Sequence, residues 1–104
     1  MISRQWSALC RRENAKEYIE HLLSETFQKL KTIKGFRKAS FLTREEKEDV
    51  RFLIITEWNS IEDIKAFAGE DVEQAVVPET IKQWMIRYDK IARHYEIKEE
   101  VNQI

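Results

Sequence analysis

Four large apolar residues stand together in the middle of the chain, Phe52 to Ile55, and they constrain the fold more than any other feature of the sequence. They belong to VRFLIITEW, residues 50–58, whose β-branched and aromatic residues are typical of a β-strand. A strand of an antiparallel sheet that is covered on one side alternates between apolar and polar residues. This strand is apolar on both faces, so the sequence predicts a cover for each of them.

Other stretches show the alternation of period two that indicates half-buried strands. These stretches are residues 2–10, 36–44 and 87–97. The charged EEKED of residues 45–49 is predicted to join the second strand to the third as a hairpin loop.

Helices are predicted between these strands. From Asn14 onward, apolar residues recur at spacings of three and four, as in a helix packed on a sheet, and Gly35 ends the pattern. Ser60 is a natural N-cap for a second, short helix that stops at Gly69, and Pro78 marks the start of a further short one.

The order strand, helix, strand, strand, helix, strand predicts an α+β fold, a ferredoxin-like βαββαβ antiparallel sheet with its helices on one face. A chain of 104 residues is long enough to bury one core. We therefore expect a single domain, residues 1–104, in which residues 98–104 form a polar C-terminal tail.

The second face of this sheet needs a cover of its own. Leu53 and Ile55, with Phe41 on the neighbouring strand, predict a second sheet packed there, since each large aliphatic side chain left in water forgoes roughly 1.5–3 kcal/mol of burial free energy. Another copy of the chain is the simplest source, which predicts a homodimer with these residues in its interface. The alternative is that residues 70–86 or the C-terminal tail fold over this face.

Composition limits the classes of partner. Eighteen Lys and Arg against 19 Asp and Glu give a formal charge of −1, which provides no electrostatic reason to expect nucleic acid or an anionic membrane as a partner. The segment KGFRKASF, residues 34–41, looks like an RNA-recognition signature but opens the second strand rather than the third, so RNA binding is not expected.

The sequence shows neither a signal-peptide pattern nor a run of about 18 apolar residues, so a cytoplasmic protein is expected. Cys10 is the single cysteine, which excludes an intrachain disulfide and predicts a small buried hydrophobe.

Three ordered pieces of the sequence carry a family resemblance: GFRKASFLTR after the first helix, TEWNSIEDIKAFAG in the middle and HYEI at the end. Through them the chain resembles the antibiotic biosynthesis monooxygenase domain family, and EW-x-S followed by AFAG is the most specific part. The resemblance implies a dimeric α+β barrel. It also implies oxygenation of a small aromatic, phenolic or quinol-like substrate with O2 and no cofactor, while another branch of the family binds and degrades haem.

The positions of the family's known sites match only in part. Trp58 stands where phenol-oxidising members keep a Trp, whereas Ile54 and Ile64 replace the Asn and the aromatic residue of that site. Val77 and Trp6 stand near the places where haem-degrading members need a His and an Asn. The resemblance therefore does not extend to haem degradation, which we do not expect.

Three polar residues are candidates for the chemistry. His94, on the last strand, is the best proton acceptor in the chain, because an imidazole titrates near neutral pH. Arg4 interrupts an apolar strand face, and either Arg4 or Arg93 would stabilise a substrate anion. The structural alternatives are a His94 satisfied in the core or at a sheet edge, and an Arg4 that reaches solvent or pairs with a carboxylate.

Five aromatic residues are candidates for substrate binding. Trp6, Trp58 and Phe67 are expected to bound a small apolar cavity, and Trp84 and Tyr88 are candidates for a lid where the chain re-enters the sheet. Core packing is the alternative role for Trp58 and the favoured role for Trp84 and Tyr88.

The resemblance thus implies a cofactor-independent monooxygenase that acts on a small aromatic, phenolic or quinol-like substrate, with no metal and no cofactor. The alternative is a non-catalytic homodimeric module that binds a small apolar ligand. The absence of the family's Asn and His from the matching positions motivates this alternative.

Overall fold

The computed structural model describes residues 1–103, and one antiparallel sheet organises them. Its strands are β1 (Ile2–Arg11), β2 (Phe36–Glu46), β3 (Asp49–Trp58), β4 (Met85–Tyr88) and β5 (Arg93–Glu96). The strand order is β2-β3-β1-β4, and β5 also pairs with β1. Helices cover one face of this sheet, so the predicted ferredoxin-like α+β fold is confirmed.

The predicted last strand, residues 87–97, is two short strands rather than one. β4 pairs with β1 around Ala8 to Cys10, and β5 pairs with the other end of β1, from Ile2 to Gln5. Between them, Lys90 O accepts a hydrogen bond from Ala75 N–H, and Ala92 N–H donates to Glu73 O. The strand breaks because the backbone of residues 90–92 bonds to a crossing segment instead of to β1.

The first helical stretch has an irregular middle. It consists of α1 (Arg12–His21), a π-helical turn (Leu22–Thr26) and α2 (Phe27–Leu30). The chain then turns through Gly35, whose φ of +92° lies in the left-handed region. The helix therefore begins two residues before the predicted Asn14 and ends earlier than the apolar pattern suggested.

The second helical stretch follows β3 at once. It is α3 (Ile61–Ala68), and its predicted N-cap is confirmed, since Ser60 Oγ accepts a hydrogen bond from Asp63 N–H. Gly69 ends α3 with a φ of +88°. A short α4 (Glu79–Lys82) follows Pro78, as predicted.

The core lies between the sheet and the helices. Along β3, Phe52 and Trp58 are fully buried, and both point to the helix face. Cys10 is also fully buried, which confirms its prediction as a small core residue. Burial, together with the nearby Asp49 carboxylate, raises the pKa of the Cys10 thiol to about 11.

The register of β2 corrects one predicted neighbour on the opposite face. Phe41 lies opposite Ile54 and packs against the core on the helix face, whereas Leu42 lies opposite Leu53. Residues that are opposite in an antiparallel pair share a face, so the prediction that Phe41 lies beside Leu53 and Ile55 was wrong. Leu42 takes that place, and 43% of its surface is exposed.

No helix among residues 1–103 is long and apolar enough to cross a membrane.

Candidate functional site

A cavity of about 60 Å³ lies between the sheet and the first helical stretch. The sheet supplies one wall, the segment from Tyr18 to Leu30 a second, and α3 with the chain before and within α4 the rest. Most of the lining is apolar. The lining residues are Arg4, Trp6, Tyr18, His21, Leu22, Thr26, Leu30, Ile54, Thr56, Phe67, Val76, Val77, Pro78 and Ile81.

Arg4 is the charged group of this lining, and only 5% of its surface is exposed. Its guanidinium donates hydrogen bonds to two backbone carbonyls, from Nη1 to Val72 O and from Nη2 to Gln74 O at 2.9 Å. Nη1 also lies 2.9 Å from His94 Nε2. Burial lowers the pKa of Arg4 to about 10, so the group remains a cation at neutral pH.

Arg4 has no carboxylate partner within residues 1–103, since none of the ion pairs there includes it. The alternative in which Arg4 pairs with a carboxylate is therefore not met in this part of the chain. The guanidinium carbon lies 5.8 Å from the centroid of the Phe67 ring, and Lys29 Nζ lies 5.4 Å from the same centroid. These two cations make the Phe67 end of the cavity electropositive.

His94 stands behind Arg4 rather than at the cavity wall. It lies opposite Arg4 in the pairing of β1 with β5. A guanidinium only donates hydrogen bonds, so Nε2 of His94 is the acceptor, and the neutral ring carries its proton on Nδ1. Burial and the positive charge of Arg4 lower the pKa of His94, partly opposed by Glu73. The assignment of His94 as a base in contact with substrate does not fit this geometry.

Arg93 lies on the outer face of the sheet, since it is paired with Gln5 one residue along from the pair of Arg4 and His94. Its Nη1 forms an ion pair with Asp89 Oδ2 at 3.4 Å, and its side chain is more than half exposed. The prediction that Arg93 stabilises a substrate anion in the cavity is wrong, because successive residues of a strand point to opposite faces.

Two of the predicted binding aromatics, Trp6 and Phe67, line the cavity. The Trp6 indole N–H donates to Asp89 O at 2.6 Å, which anchors the ring at the sheet edge. Trp58, in contrast, is fully buried, and its indole N–H donates to Thr56 Oγ1 at 2.8 Å. Trp58 is thus a core residue that supports the cavity through Thr56 and Phe67.

The predicted lid residues also pack as core rather than at the cavity. Trp84 meets the His21 ring edge-on, with 6.5 Å between ring centroids, and Tyr88 lies 6.4 Å from Trp6. Both pack against the buried cluster around Phe52. The prediction that they line the binding site is not met, and their alternative role in packing fits the structure.

The first helical stretch contributes polar groups that sequence reasoning missed. Tyr18 and His21 both line the cavity, with their rings stacked and 6.5 Å between centroids. His21 follows Tyr18 by three residues, a spacing that places both side chains on one face of the helix. Burial raises the pKa of the Tyr18 hydroxyl above its usual range, so it stays protonated at neutral pH.

The π-helical turn forms part of the same wall. Phe27 N–H donates to Leu22 O, the five-residue spacing that defines this turn, and both Leu22 and Thr26 line the cavity. Single π-helical turns are uncommon and occur frequently at functional sites. Nothing in the local sequence marks this turn, because its residues follow the ordinary helical spacing of apolar positions.

No group of three or more His, Cys, Asp or Glu side chains able to hold a metal ion occurs among residues 1–103.

Neither a protein-family model nor a curated protein matches this chain. Several solved structures, in contrast, are similar to it. A candidate antibiotic biosynthesis monooxygenase from Bacillus cereus is similar over 100% of this chain and 97% of its own, with a TM-score of 0.72 and 16% sequence identity. This chain has the antibiotic biosynthesis monooxygenase fold.

Two further structures share this antibiotic biosynthesis monooxygenase fold. A candidate enzyme of the same description from Deinococcus radiodurans covers 100% of this chain and 99% of its own, with a TM-score of 0.62 and 16% identity. The haem degrader MhuD from Mycobacterium tuberculosis, solved with two haems in its active site, covers 98% of this chain and 100% of its own, with a TM-score of 0.61 and 17% identity. The resemblance read from the sequence is thus confirmed at the level of the fold.

Proposed function

We propose that the protein is a cofactor-independent oxygenase that binds a small phenol or quinol as its anion in the cavity. Arg4 is the observation that carries this proposal. It is a buried cation at the wall of an apolar cavity, bonded to carbonyls and a neutral imidazole rather than to a carboxylate. A buried charge without an opposite charge is costly, and an anionic ligand beside it offsets that cost.

His21 is the proton acceptor in this proposal, in place of His94. It lines the same cavity as Arg4 and carries an imidazole, the side chain best suited to accept a proton near neutral pH. Removing the phenolic proton leaves an anion, which the Arg4 guanidinium stabilises in a site of low polarity. Trp6 and Phe67 supply apolar contact for the substrate ring.

The anion itself then reduces dioxygen. It transfers one electron to O2, and the substrate radical and superoxide combine by forming a C–O bond. The resulting peroxide anion takes up the proton held by His21. Loss of a proton from the same ring carbon breaks the O–O bond and releases water, so a phenol with one ring C–H and O2 become a quinone, with two C=O groups, and H2O.

A homodimer completes the proposal, built on the outer face of the sheet. Leu53 and Ile55 point to this face with Leu42, and it is opposite to the face on which the helices lie. Light scattering at micromolar concentration is expected to give twice the chain mass of 12.5 kDa. Leu53→Glu is expected to give the monomer, whereas Leu23→Glu, at an exposed helix position, leaves the dimer intact. A monomeric wild-type protein would remove this part of the proposal.

Oxygen uptake with a panel of quinols and anthrone-like phenols tests the activity. Turnover above the protein-free blank is expected, and Arg4→Met is expected to lower kcat/KM by about 10²–10³, the range for removing one group that stabilises an anion. Arg93→Met is the matched control, because this arginine lies on the neighbouring strand but on the outer face. Equal rates for Arg4→Met and the wild type, with both folded by circular dichroism, would contradict the proposal.

The second candidate is a non-catalytic dimeric module that binds a small apolar ligand. Ile54 favours it, because this apolar side chain occupies the cavity wall where an Asn is expected for phenol oxidation. No oxygen uptake with the whole panel, together with a raised melting temperature in the presence of the same phenols, would establish this function instead.

A cytoplasmic location stays a prediction from the sequence.

Haem degradation is not proposed. Trp6 and Val77 line the cavity, and neither side chain ligates iron. Titration with haemin is expected to leave the Soret band unshifted.

A further inference from the structure

The cavity is small because one of its walls is an irregular segment that lies close to the sheet. Residues 69–78 connect α3 to α4 without forming a helix or strand, apart from an isolated bridge between Gln74 and Ile91. Val76, Val77 and Pro78 of this segment line the cavity. An aromatic ring enters only if this wall moves, since even a benzene molecule occupies cavities of about 150 Å³.

Two sets of hydrogen bonds hold the segment in place. On its outer side, residues 73 and 75 bond to the backbone of residues 90–92. On its inner side, the Arg4 guanidinium donates to Val72 O and Gln74 O. The inner bonds come from one side chain, so the position of the guanidinium decides whether the segment is held on both sides.

The protonation state of His94 decides whether its ring can accept a hydrogen bond from the Arg4 guanidinium. Its neutral ring accepts a hydrogen bond from Arg4 Nη1 at Nε2. A protonated ring has no acceptor left and places a second positive charge beside the guanidinium. The bond between the two side chains therefore exists only while His94 is neutral.

We propose that Arg4 and His94 form a pH-sensitive latch on the cavity: neutral His94 keeps residues 72–78 closed over it, and protonation of His94 releases them. The charged groups that face His94 are Arg4 from β1 and Glu73 from the segment itself, and Glu96 follows two residues along β5 on the same side of the strand. Burial and the charge of Arg4 oppose protonation of His94 and Glu73 favours it, with a net lowering of its pKa, so the latch opens in acidic solution. The identity of the ligand that enters the open cavity rests on the proposed function, whereas the latch itself does not.

Amide hydrogen exchange of residues 72–77, the part of the segment before Pro78 that has backbone N–H groups, tests the latch without substrate or oxygen. From about pH 8 to about pH 5, the range in which a histidine titrates, we expect these amides to exchange at least about tenfold faster after correction for the intrinsic pH dependence. A wild-type exchange rate that stays constant over this range would overturn the proposal.

Two variants separate His94 from other titrating groups. His94→Gln places an amide oxygen where it accepts from Arg4 but does not titrate, so the amides of residues 72–77 in this variant are expected to exchange slowly and independently of pH. His21→Gln changes the other histidine of the chain and is expected to keep the wild-type pH dependence. An unchanged pH dependence in His94→Gln would contradict the latch.

A measurement on the wild-type protein covers the case in which His94→Gln does not fold. The 15N chemical shifts of the His94 ring are expected to show the proton on Nδ1 at neutral pH, and the amide signals of residues 72–77 are expected to shift with the same midpoint as the ring. A proton on Nε2 at neutral pH would overturn the latch. Absent oxygen uptake would leave all of these measurements unaffected, so the two proposals fail separately.

Discussion

Two tryptophans on the same face of the sheet have opposite surroundings. Trp58 is fully enclosed by Phe36 and Phe67, and its indole N–H is satisfied by Thr56. Trp6 is only half-buried, borders a cavity and shares that cavity with a buried cation. The Trp58 region has its packing and hydrogen bonds complete within the chain, whereas the Trp6 region has space and a charge that a ligand would complete.

This contrast separates stability from binding. Close packing of aromatic side chains raises the free energy of unfolding, because protein interiors are as dense as molecular crystals and a cavity opened in them destabilises the fold. An open cavity contributes less to stability and more to recognition. The family position of Trp58 suggested a pocket residue, yet here Trp58 stabilises the fold and Trp6 borders the pocket.

The largest expected effect is on stability in the closed region. Trp58→Ala is expected to lower the free energy of unfolding by about 3–5 kcal/mol, the range for deleting a buried aromatic side chain. Trp6→Ala is expected to cost clearly less, because the ring already borders empty space. Urea unfolding of both variants measures the difference. Equal losses would show that the two regions are packed alike.

A smaller effect is expected at the boundary between the two regions. Thr56→Val keeps the shape of the side chain but leaves the buried Trp58 N–H without its acceptor, which costs about 1–3 kcal/mol. Thr56→Ser, which retains the hydroxyl, is the matched control and is expected to lose less. If urea unfolding gives the same free energy for Thr56→Val and the wild type, Trp58 is not held through Thr56.

The smallest effect concerns pH, since the His94 ring is half-exposed. Burial first, and then Arg4, hold the pKa of His94 below its ordinary value of 6.5. The unfolded chain therefore binds the proton first as pH falls, and the free energy of unfolding decreases as the pH drops through about 6.5. Urea unfolding as a function of pH measures this decrease, which His94→Gln is expected to remove. An equal pH dependence in both proteins would exclude His94 as its source.

The sequence predicted the elements and the faces of the sheet because those depend on local periodicity. Ser60, Gly69 and the apolar run around Phe52 each carry their signal within a few residues. The break in the last strand left no such signal, because Ala92 bonds to Glu73, which lies far away in the chain. The prediction for Phe41 failed for a similar reason, since the face of the sheet on which this residue lies depends on the register between β2 and β3.

The site was less predictable than the fold. Arg4 was recognised as unusual, but its partners Val72 and Gln74 are backbone carbonyls, which any residue type supplies. His94 was recognised as a proton acceptor, but only the pairing of β5 with β1 reveals that Arg4 donates to it. The placement of His21 at the cavity was available from its spacing to Tyr18, and sequence reasoning passed over it.

The three tryptophan indoles test the central contrast most directly, because each gives its own signal in a 15N–1H correlation spectrum. The signals are assigned with single Trp→Phe variants and followed during an anaerobic titration with 1-naphthol. The account predicts that the Trp6 indole signal shifts most and the Trp84 indole signal stays in place. A shift confined to Trp84, or no shift at any indole while the ligand raises the melting temperature, would show that the cavity beside Trp6 and Arg4 is not the binding site.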